Sequence, residues 1–295
     1  MPNRQSSTLA IKPSIAIVGA GSLAGALAVA LNGAGYGIDE VISRRGVASL
    51  RRARKLAAVV EACAVTLTRA QLRAGIVWFC VPDGAIFRAA KSIRDAADWR
   101  GKVALHSSGA LASDELAELR SHGAAIASVH PLMTFVPGSR PPLAGVSFAI
   151  EGDKKAVQAA RAIVLDLSGL PFAIRKRHKE VYHAWGMFAS PLLTALLAAG
   201  ERIAAAAGIP RNAARKRILP ILQQTLANYA GLGAFHSFSG PIARGDVKTI
   251  EKHLRALQMI PEARDIYFAL GRAALHDLPA KNRAALEKVL RRGLA

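Results

Sequence analysis

Lys179 and His183 stand four residues apart at the start of a predicted helix. Side chains at that spacing share one helix face, so an amine and an imidazole would lie side by side. Either group can donate a proton to a carbonyl or imine as it is reduced, provided that its pKa is tuned toward neutrality. The alternative is an exposed basic helix start, because residues 175–178 read Arg-Lys-Arg-His. Tyr182 is expected in the core.

Further polar residues follow apolar runs that are typical of strands. His106 and Ser108 come directly after one such run and precede a glycine. In an open α/β sheet, ligands lie beyond the carboxyl ends of the strands, so we expect both side chains to meet cofactor and substrate there and to act as catalytic residues. His130 closes a later run, where it would bind substrate or hold a loop by hydrogen bonds. Asp83 is more simply a helix cap.

A glycine-rich loop at residues 239–246 leads into a helix that is predicted to begin at Val247. Arg244 in this loop could grip a carboxylate or a phosphate. Asp246 is a candidate substrate contact, although it could equally cap the following helix. No metal-ligand cluster is expected.

The segment Gly19-Ala20-Gly21-Ser22-Leu23-Ala24 joins an apolar strand to an Ala/Leu-rich helix. This order predicts a cradle for a dinucleotide pyrophosphate. Gly19 permits the tight turn, Gly21 lets the backbone approach the phosphates, and the helix start at Ser22 and Leu23 offers free N–H groups. Val81 and Pro82, which end another strand, are expected beside the same cofactor.

The same region, Ile15 to Leu31, is also apolar enough to suggest a signal peptide. However, Gly19, Gly21, Gly25 and Gly33 would dilute a spanning helix, and mixed α/β sequence follows Gly35. The two cysteines, Cys63 and Cys80, suggest no disulfide framework. We therefore expect a cytoplasmic protein that binds no membrane.

The cofactor type is predicted by Ser43-Arg44-Arg45 at the end of the second strand. NAD enzymes usually place a carboxylate there, whereas NADP enzymes place cations and small hydroxyls. Asp39 and Glu40 come too early in the strand to reach the ribose. The sequence thus favours NADP, the alternative being that both arginines merely begin a solvated basic helix.

Strand-like runs alternate with helical stretches up to about residue 174 and then stop. The candidate strands are Ser14 to Val18, Glu40 to Ser43, Ala64 to Thr68, Ile76 to Val81, Lys102 to His106, Ala124 to Val129, Val146 to Glu151 and Pro171 to Ile174. The candidate helices beyond them are Tyr182 to Ala207, Asn212 to Leu232, Val247 to Leu257 and Pro261 to Ala295. This pattern predicts an α/β chain with a doubly wound, parallel Rossmann-type sheet, followed by an all-helical domain.

The domain boundary is expected near Lys176. Residues 1–175 would bind the cofactor, with 1–13 as a disordered lead, and residues 176–295 would supply substrate contacts and the contacts of a homodimer. The formal net charge of +20 could indicate nucleic acid, an anionic membrane or a phosphorylated ligand. Because the cations are scattered over Ala-rich helices with few aromatic residues between them, no nucleic-acid partner is expected.

Together these segments resemble the bacterial Rossmann-like and DUF2520 domain-containing proteins, relatives of ketopantoate reductase, pyrroline-5-carboxylate reductase and the β-hydroxyacid dehydrogenases. The resemblance rests on the glycine motif, on His106-Ser107-Ser108-Gly109-Ala110, on His130-Pro131-Leu132, on Lys179 with Tyr182-His183-Ala184, and on Gly240-Pro241 with Arg244-Gly245-Asp246. It implies an NADP-binding domain, a dimerising helical domain and an oxidoreductase activity without a named substrate.

The chain departs from its relatives at two places. The related dehydrogenases carry a catalytic lysine with an asparagine four residues later; Lys179 matches the lysine, and His183 stands in place of the asparagine. The family also tends to have asparagine where this chain has Pro191, so an amide contact to substrate is missing there. Two functions therefore stay open: NADPH-dependent reduction of a small carbonyl or imine acid, or non-catalytic nucleotide binding by a sensor. They differ in whether bound NADPH is consumed.

Overall fold

An eight-stranded sheet occupies the first part of the chain in this computed structural model, which describes residues 12–291. The strands are β1 (Ile15–Val18), β2 (Ile38–Ser43), β3 (Cys63–Thr66), β4 (Ile76–Phe79), β5 (Val103–His106), β6 (Ala125–Pro131), β7 (Ser147–Gly152) and β8 (Leu170–Ala173). Their order in the sheet is β3-β2-β1-β4-β5-β6-β7-β8. Apart from Lys12 and Pro13, the predicted disordered lead lies outside the described residues.

All eight predicted strands are confirmed, each within two residues at either end. Every residue of β1, β4 and β5 is buried. Parallel strands covered on both faces read as continuous apolar runs, which is why the sequence reveals them.

The expectation of a wholly parallel sheet is wrong for one pair of strands. β6 and β7 run antiparallel, with Val129 opposite Ile150, whereas every other pair is parallel. A parallel crossover needs a connection that passes over the sheet, usually a helix. Residues 132–146, which join these two strands, contain three prolines and no helix, so the chain turns back.

Helices cover both faces of the sheet. They are α1 (Ser22–Gly33), α2 (Val47–Val59), α3 (Asp83–Ile93), α4 (Ala117–Ser121) and α5 (Lys154–Asp166). Leu27, Leu56 and Ile163 bring α1, α2 and α5 into one apolar core, while Ile86 and Leu119 bring α3 and α4 into the other. The predicted doubly wound architecture is therefore confirmed.

In the described chain up to residue 291, only helices follow β8, as the sequence predicts. They are α6 (Lys179–Ala189), α7 (Pro191–Ala206), α8 (Arg211–Ser237), α9 (Pro241–Arg244), α10 (Val247–Ala256), α11 (Pro261–Asp277) and α12 (Arg283–Arg291). The helix expected from 182 to 207 is broken at Ser190, because Pro191 opens a new helix in its first turn. The helix expected from 261 onward ends at Asp277, two residues before Pro279.

The described chain forms two compact units, one ending at Gly186 and the other beginning at Met187. Most of α6 belongs to the first unit, since Lys179 and Tyr182 are buried in it. The predicted boundary near Lys176 precedes this division by ten residues and stays a prediction. The second unit has its own apolar core, centred on Ile250 and Phe268.

One helical stretch, Lys176–Ala206, is long and apolar enough to cross a membrane by length and composition alone. It comprises two helices that are separated at Ser190. Exclusion of a membrane partner remains a prediction.

Candidate active site

The turn between β1 and α1 requires glycine at its first position. Gly19 has φ +120°, and a Cβ there would lie 2.3 Å from the carbonyl oxygen of Cys80. L side chains rarely adopt that conformation, and the close approach leaves no room for one. The tight turn is thus imposed by packing inside the protein.

Gly21 meets a different constraint. It is the N-cap of α1 and offers no side-chain cap, and the first turn holds no acidic residue. The N–H groups of Ser22 and Leu23, in that turn, are therefore available to an anion. A Cβ on Gly21 would meet nothing within 4 Å, so the open space in front of the helix is available to a ligand.

A cavity of about 530 Å³ extends from this turn along the carboxyl ends of β1, β2 and β4. Six of the nine predicted cofactor residues line it: Gly19, Gly21, Ser43, Arg44, Val81 and Pro82. Ser22, Leu23 and Arg45 are not among its lining residues. The cavity occupies the position where open α/β sheets bind their ligands.

The end of the cavity at β2 is basic and has an unused hydroxyl. Ser43 is buried, and its hydroxyl has no hydrogen-bond partner among the described residues. Arg44 is held in place by its Nε, which donates to the Ser49 hydroxyl at 3.1 Å. Arg52 from α2 and Arg88 from α3, which sequence reasoning missed, also line the cavity. An unsatisfied hydroxyl among three guanidinium groups fits a ligand oxygen anion.

The carboxylates at the start of β2 have other partners. Asp39 accepts a hydrogen bond from Ser14, and buried Glu40 accepts from the backbone N–H groups of Gln71 and Leu72. Among residues 12–291, no Asp or Glu lines the cavity.

A second polar cluster lies beyond β5 and β6 on the same edge of the sheet, and Lys179 is at its centre. This lysine is 1% exposed. Its Nζ donates to the Ser108 carbonyl at 3.0 Å and to the Ser128 hydroxyl at 2.6 Å. Burial lowers the pKa of Lys179 to about 8, although the carboxylates of Glu151 and Asp83 partly oppose that shift. Two of the three ammonium hydrogens thus have partners, and one is left to donate.

Sequence reasoning missed Ser128. It lies two residues before His130 on β6 and therefore points to the same face of the strand. That alternation is the signal that could have identified it.

His106 is fully buried, and both of its ring nitrogens are engaged. Nδ1 accepts from the Ser108 N–H at 3.1 Å, and Nε2 lies 2.9 Å from the Ala112 carbonyl. This pairing fixes the neutral tautomer, and burial lowers the pKa of His106 to about 4. The structure therefore gives His106 a part in shaping the loop, and its catalytic role stays a prediction. The Ser108 hydroxyl accepts from the Leu111 N–H at 2.9 Å, which leaves its own hydrogen free to donate.

His130 and His183 lie beside Gly109, and Tyr182 contacts His130. His130 Nδ1 lies 2.8 Å from the Tyr182 hydroxyl, and the His130 and His183 rings meet edge to face at 6.1 Å between centroids. Burial and the charge of Lys179 lower the pKa of His130 to about 4. A Cβ on Gly109 would lie 2.6 Å from His183 Cδ2 and 2.8 Å from His130 Nε2. The structure thus brings Lys179, Ser108, His130 and His183 together in the first unit, and their chemical roles stay predictions.

Arg244 and Asp246 belong to the second unit. Asp246 caps α10, because its carboxylate accepts from the Thr249 N–H at 3.1 Å and from the Thr249 hydroxyl at 2.7 Å. Arg244 is exposed. The cap is confirmed, and substrate binding by either residue stays a prediction.

Comparison with known proteins identifies both halves of the chain. Residues 1–131 match the Rossmann-like domain, and residues 146–274 match DUF2520, a domain of unknown function. The chain joins a Rossmann-like domain to a DUF2520 domain. The resemblance inferred from the sequence is confirmed. No curated protein is a detectable relative of this sequence.

Several solved structures share the fold of this Rossmann-like and DUF2520 protein. A Bacteroides fragilis protein described as a candidate NADP oxidoreductase has a TM-score of 0.75 and 23% identity, over 89% of this chain and 97% of its own. An imine reductase from Myxococcus stipitatus, solved with NADP+, has a TM-score of 0.65 and 17% identity, over 96% of this chain and 100% of its own. A variant of that enzyme is solved with NAD+. A pyrroline-5-carboxylate reductase from Coxiella burnetii has a TM-score of 0.57 and 13% identity, over 96% and 97% of the two chains.

Proposed function

We propose that this protein is an NADP(H)-dependent oxidoreductase that reduces a small carbonyl or imine acid. The observation that carries the proposal is the position of two sites along one sheet edge. The basic cavity lies at the ends of β1, β2 and β4, and the Lys179 cluster lies at the ends of the adjacent β5 and β6. The two sites are joined by backbone, because the Ser107 N–H donates to the Phe79 carbonyl at 3.3 Å.

The residues of the cavity fit NADP(H) better than NAD(H). The α1 N-terminus beyond Gly21 would hold the pyrophosphate. Ser43, Arg44, Arg52 and Arg88 would hold a 2′-phosphate, for which a buried unpaired hydroxyl and three guanidinium groups are suitable donors. A ribose 2′-hydroxyl would find no carboxylate among the described residues of this lining.

The Lys179 cluster could supply the proton that accompanies hydride transfer. When bound, NADPH supplies the hydride. Lys179 and His183 share a helix face and lie beside Gly109, where either side chain could deliver a proton to the substrate heteroatom. Ser108 offers a hydroxyl hydrogen to orient the same group.

The reaction is proposed for a reducing cytoplasm, where the free thiols of Cys63 and Cys80 stay reduced.

The test is a screen of small keto acids and cyclic imines for NADPH oxidation by the parent and by Lys179→Met and His183→Phe. With any substrate found, we expect at least one variant to lose about a hundredfold to ten-thousandfold in turnover, with NADPH affinity nearly unchanged. Loss in only one variant assigns the proton to that residue. If both variants turn over like the parent, the proposed site is wrong. If NADPH binds tightly and nothing consumes it, the protein is a nucleotide sensor.

A further inference from the structure

The basic residues next to the cofactor cavity extend well beyond it. Six cations lie between residues 44 and 55, on the end of β2 and the first turns of α2, and we call them the cation ridge. They are Arg44, Arg45, Arg51, Arg52, Arg54 and Lys55. All six are exposed, and residues 44–60 contain no acidic residue.

The cation ridge has no acidic partners within the described protein. Among residues 12–291, no carboxylate lies within 4.0 Å of any of its six charged groups. Arg51 and Lys55 are four residues apart and repel one another, as do Arg52 and Lys55 at three. The positive end of the helix dipole opposes cations near the start of α2. The ridge therefore gains no ion pair within the described protein, and its charge is available to an anion in solution.

Two members of the ridge indicate that the anion is the ligand of the cofactor cavity. Arg44 and Arg52 line the cofactor cavity, and Lys55 is the neighbour of Arg52 one helical turn along. The ridge is therefore continuous with the basic end of the cavity. The outer members of the ridge are Arg45, Arg51, Arg54 and Lys55. They are not among the cavity-lining residues, so they act at a distance.

We infer that the outer cations of the ridge steer NADPH into the cavity. Part of the preference for NADPH over NADH then comes from a faster association rate. The inference rests on the proposed function, because it needs NADPH as the ligand. NADPH carries an additional phosphate monoester, worth about −1.5 to −2 charges at neutral pH. A field from unpaired cations raises the association rate of the more highly charged ligand more, and salt screens it over about 8 Å at physiological ionic strength.

The experiment is stopped-flow measurement of NADPH and NADH association and dissociation, from low to high salt. The variant is Arg51→Gln with Lys55→Gln, which removes two ridge charges outside the cavity and keeps good helix formers. The matched control is Lys154→Gln with Arg161→Gln, which removes two exposed charges from α5. All three proteins are compared by melting temperature, so that a folding defect is recognised.

We expect the ridge variant to bind NADPH about three- to tenfold more slowly at low salt, with an unchanged dissociation rate, and to match the parent at high salt. The association rate of NADH should fall less, and the α5 control should bind both cofactors at the rates of the parent. An association rate that is the same in variant and parent, or an equal loss in the α5 control, would overturn the inference while leaving NADPH binding intact. A parent that binds neither cofactor would instead refute the proposed function.

Discussion

Lys179 combines burial with charge, and that combination makes its role measurable. Its ammonium is held by the Ser108 carbonyl and the Ser128 hydroxyl, and burial lowers its pKa to about 8. Below pH 8 the group is an ammonium that can donate a proton, and above pH 8 it is an amine that can only accept one. The direction of the reaction should therefore determine how activity depends on pH.

We predict that reduction of substrate by the parent falls as pH rises through about 8, whereas the reverse oxidation rises over the same range. In Lys179→Met both pH dependences should disappear. The measurement is kcat against pH in both directions, with His183→Phe as the comparison. A pH profile that survives in Lys179→Met unchanged would assign the proton to another group.

His130 and His183 both pack against Gly109. We predict that Gly109→Ala displaces His183 and His130, because its Cβ would lie 2.6 and 2.8 Å from them. Overpacking of this kind costs about 1 to 3 kcal/mol. Steady-state kinetics should show a large loss in kcat/KM, while titration shows NADPH affinity close to that of the parent.

Gly33→Ala is the control for that substitution, since a Cβ there meets nothing within 4 Å. If Gly109→Ala turns over normally, the space beside the histidines is not where substrate reacts.

The turn between β1 and α1 contains two glycines with separable roles. Gly19 is required by the fold, whereas the space beyond Gly21 is open. We predict that Gly19→Ala loses roughly 3 kcal/mol of stability together with cofactor binding. Gly21→Ala should keep the parent's melting temperature and still lose NADPH affinity, because the new methyl group would lie where the pyrophosphate is expected.

Thermal melting and cofactor titration of the two variants test this division. A Gly21→Ala variant that binds NADPH like the parent would show that the cradle does not hold the pyrophosphate.

The elements show how far the sequence leads. The eight strands and the glycine turn are readable because each is a short run whose pattern is local. The antiparallel direction of β7 was not predicted, because it depends on the absence of a helix from the segment that joins β6 to β7. The partners of Lys179 lie 51 and 71 residues away in the chain, so its burial and its lowered pKa could not be read from local spacing. Arg52 and Arg88 were missed for the same reason, because only the fold brings α2 and α3 to one cavity.

Helix α8 cannot be stable on its own. Of its 27 residues only Ala214 is buried, and seven large apolar or aromatic residues are exposed: Ile218, Leu219, Ile221, Leu226, Tyr229, Leu232 and Phe235. An isolated helix gains little stability in water without a packed apolar face, and an exposed apolar patch of this extent marks a protein contact. A second copy of the chain is the partner we propose, in line with the dimer expected from the sequence.

We predict a homodimer at micromolar concentration, measured by light scattering. Ile221→Glu with Leu232→Glu should yield monomer or aggregate, because it places charges in the contact. Gln223→Glu with Gln224→Glu adds the same charge to the same helix and serves as control. A parent that remains monomeric would refute the dimer.

The central claim for the whole molecule is that it prefers NADPH to NADH. Calorimetric titration with the two cofactors measures that preference directly. We predict that the parent binds NADPH more tightly than NADH. Arg44→Ala should weaken NADPH binding by about 1.5 to 3 kcal/mol, the contribution of a hydrogen bond to a charged group, and should hardly change NADH binding. Arg45→Ala, which removes a ridge cation outside the cavity lining, should keep the parent's preference at high salt, where the field of the ridge is screened. Equal losses of NADPH and NADH affinity in Arg44→Ala, or a parent without preference, would contradict the account.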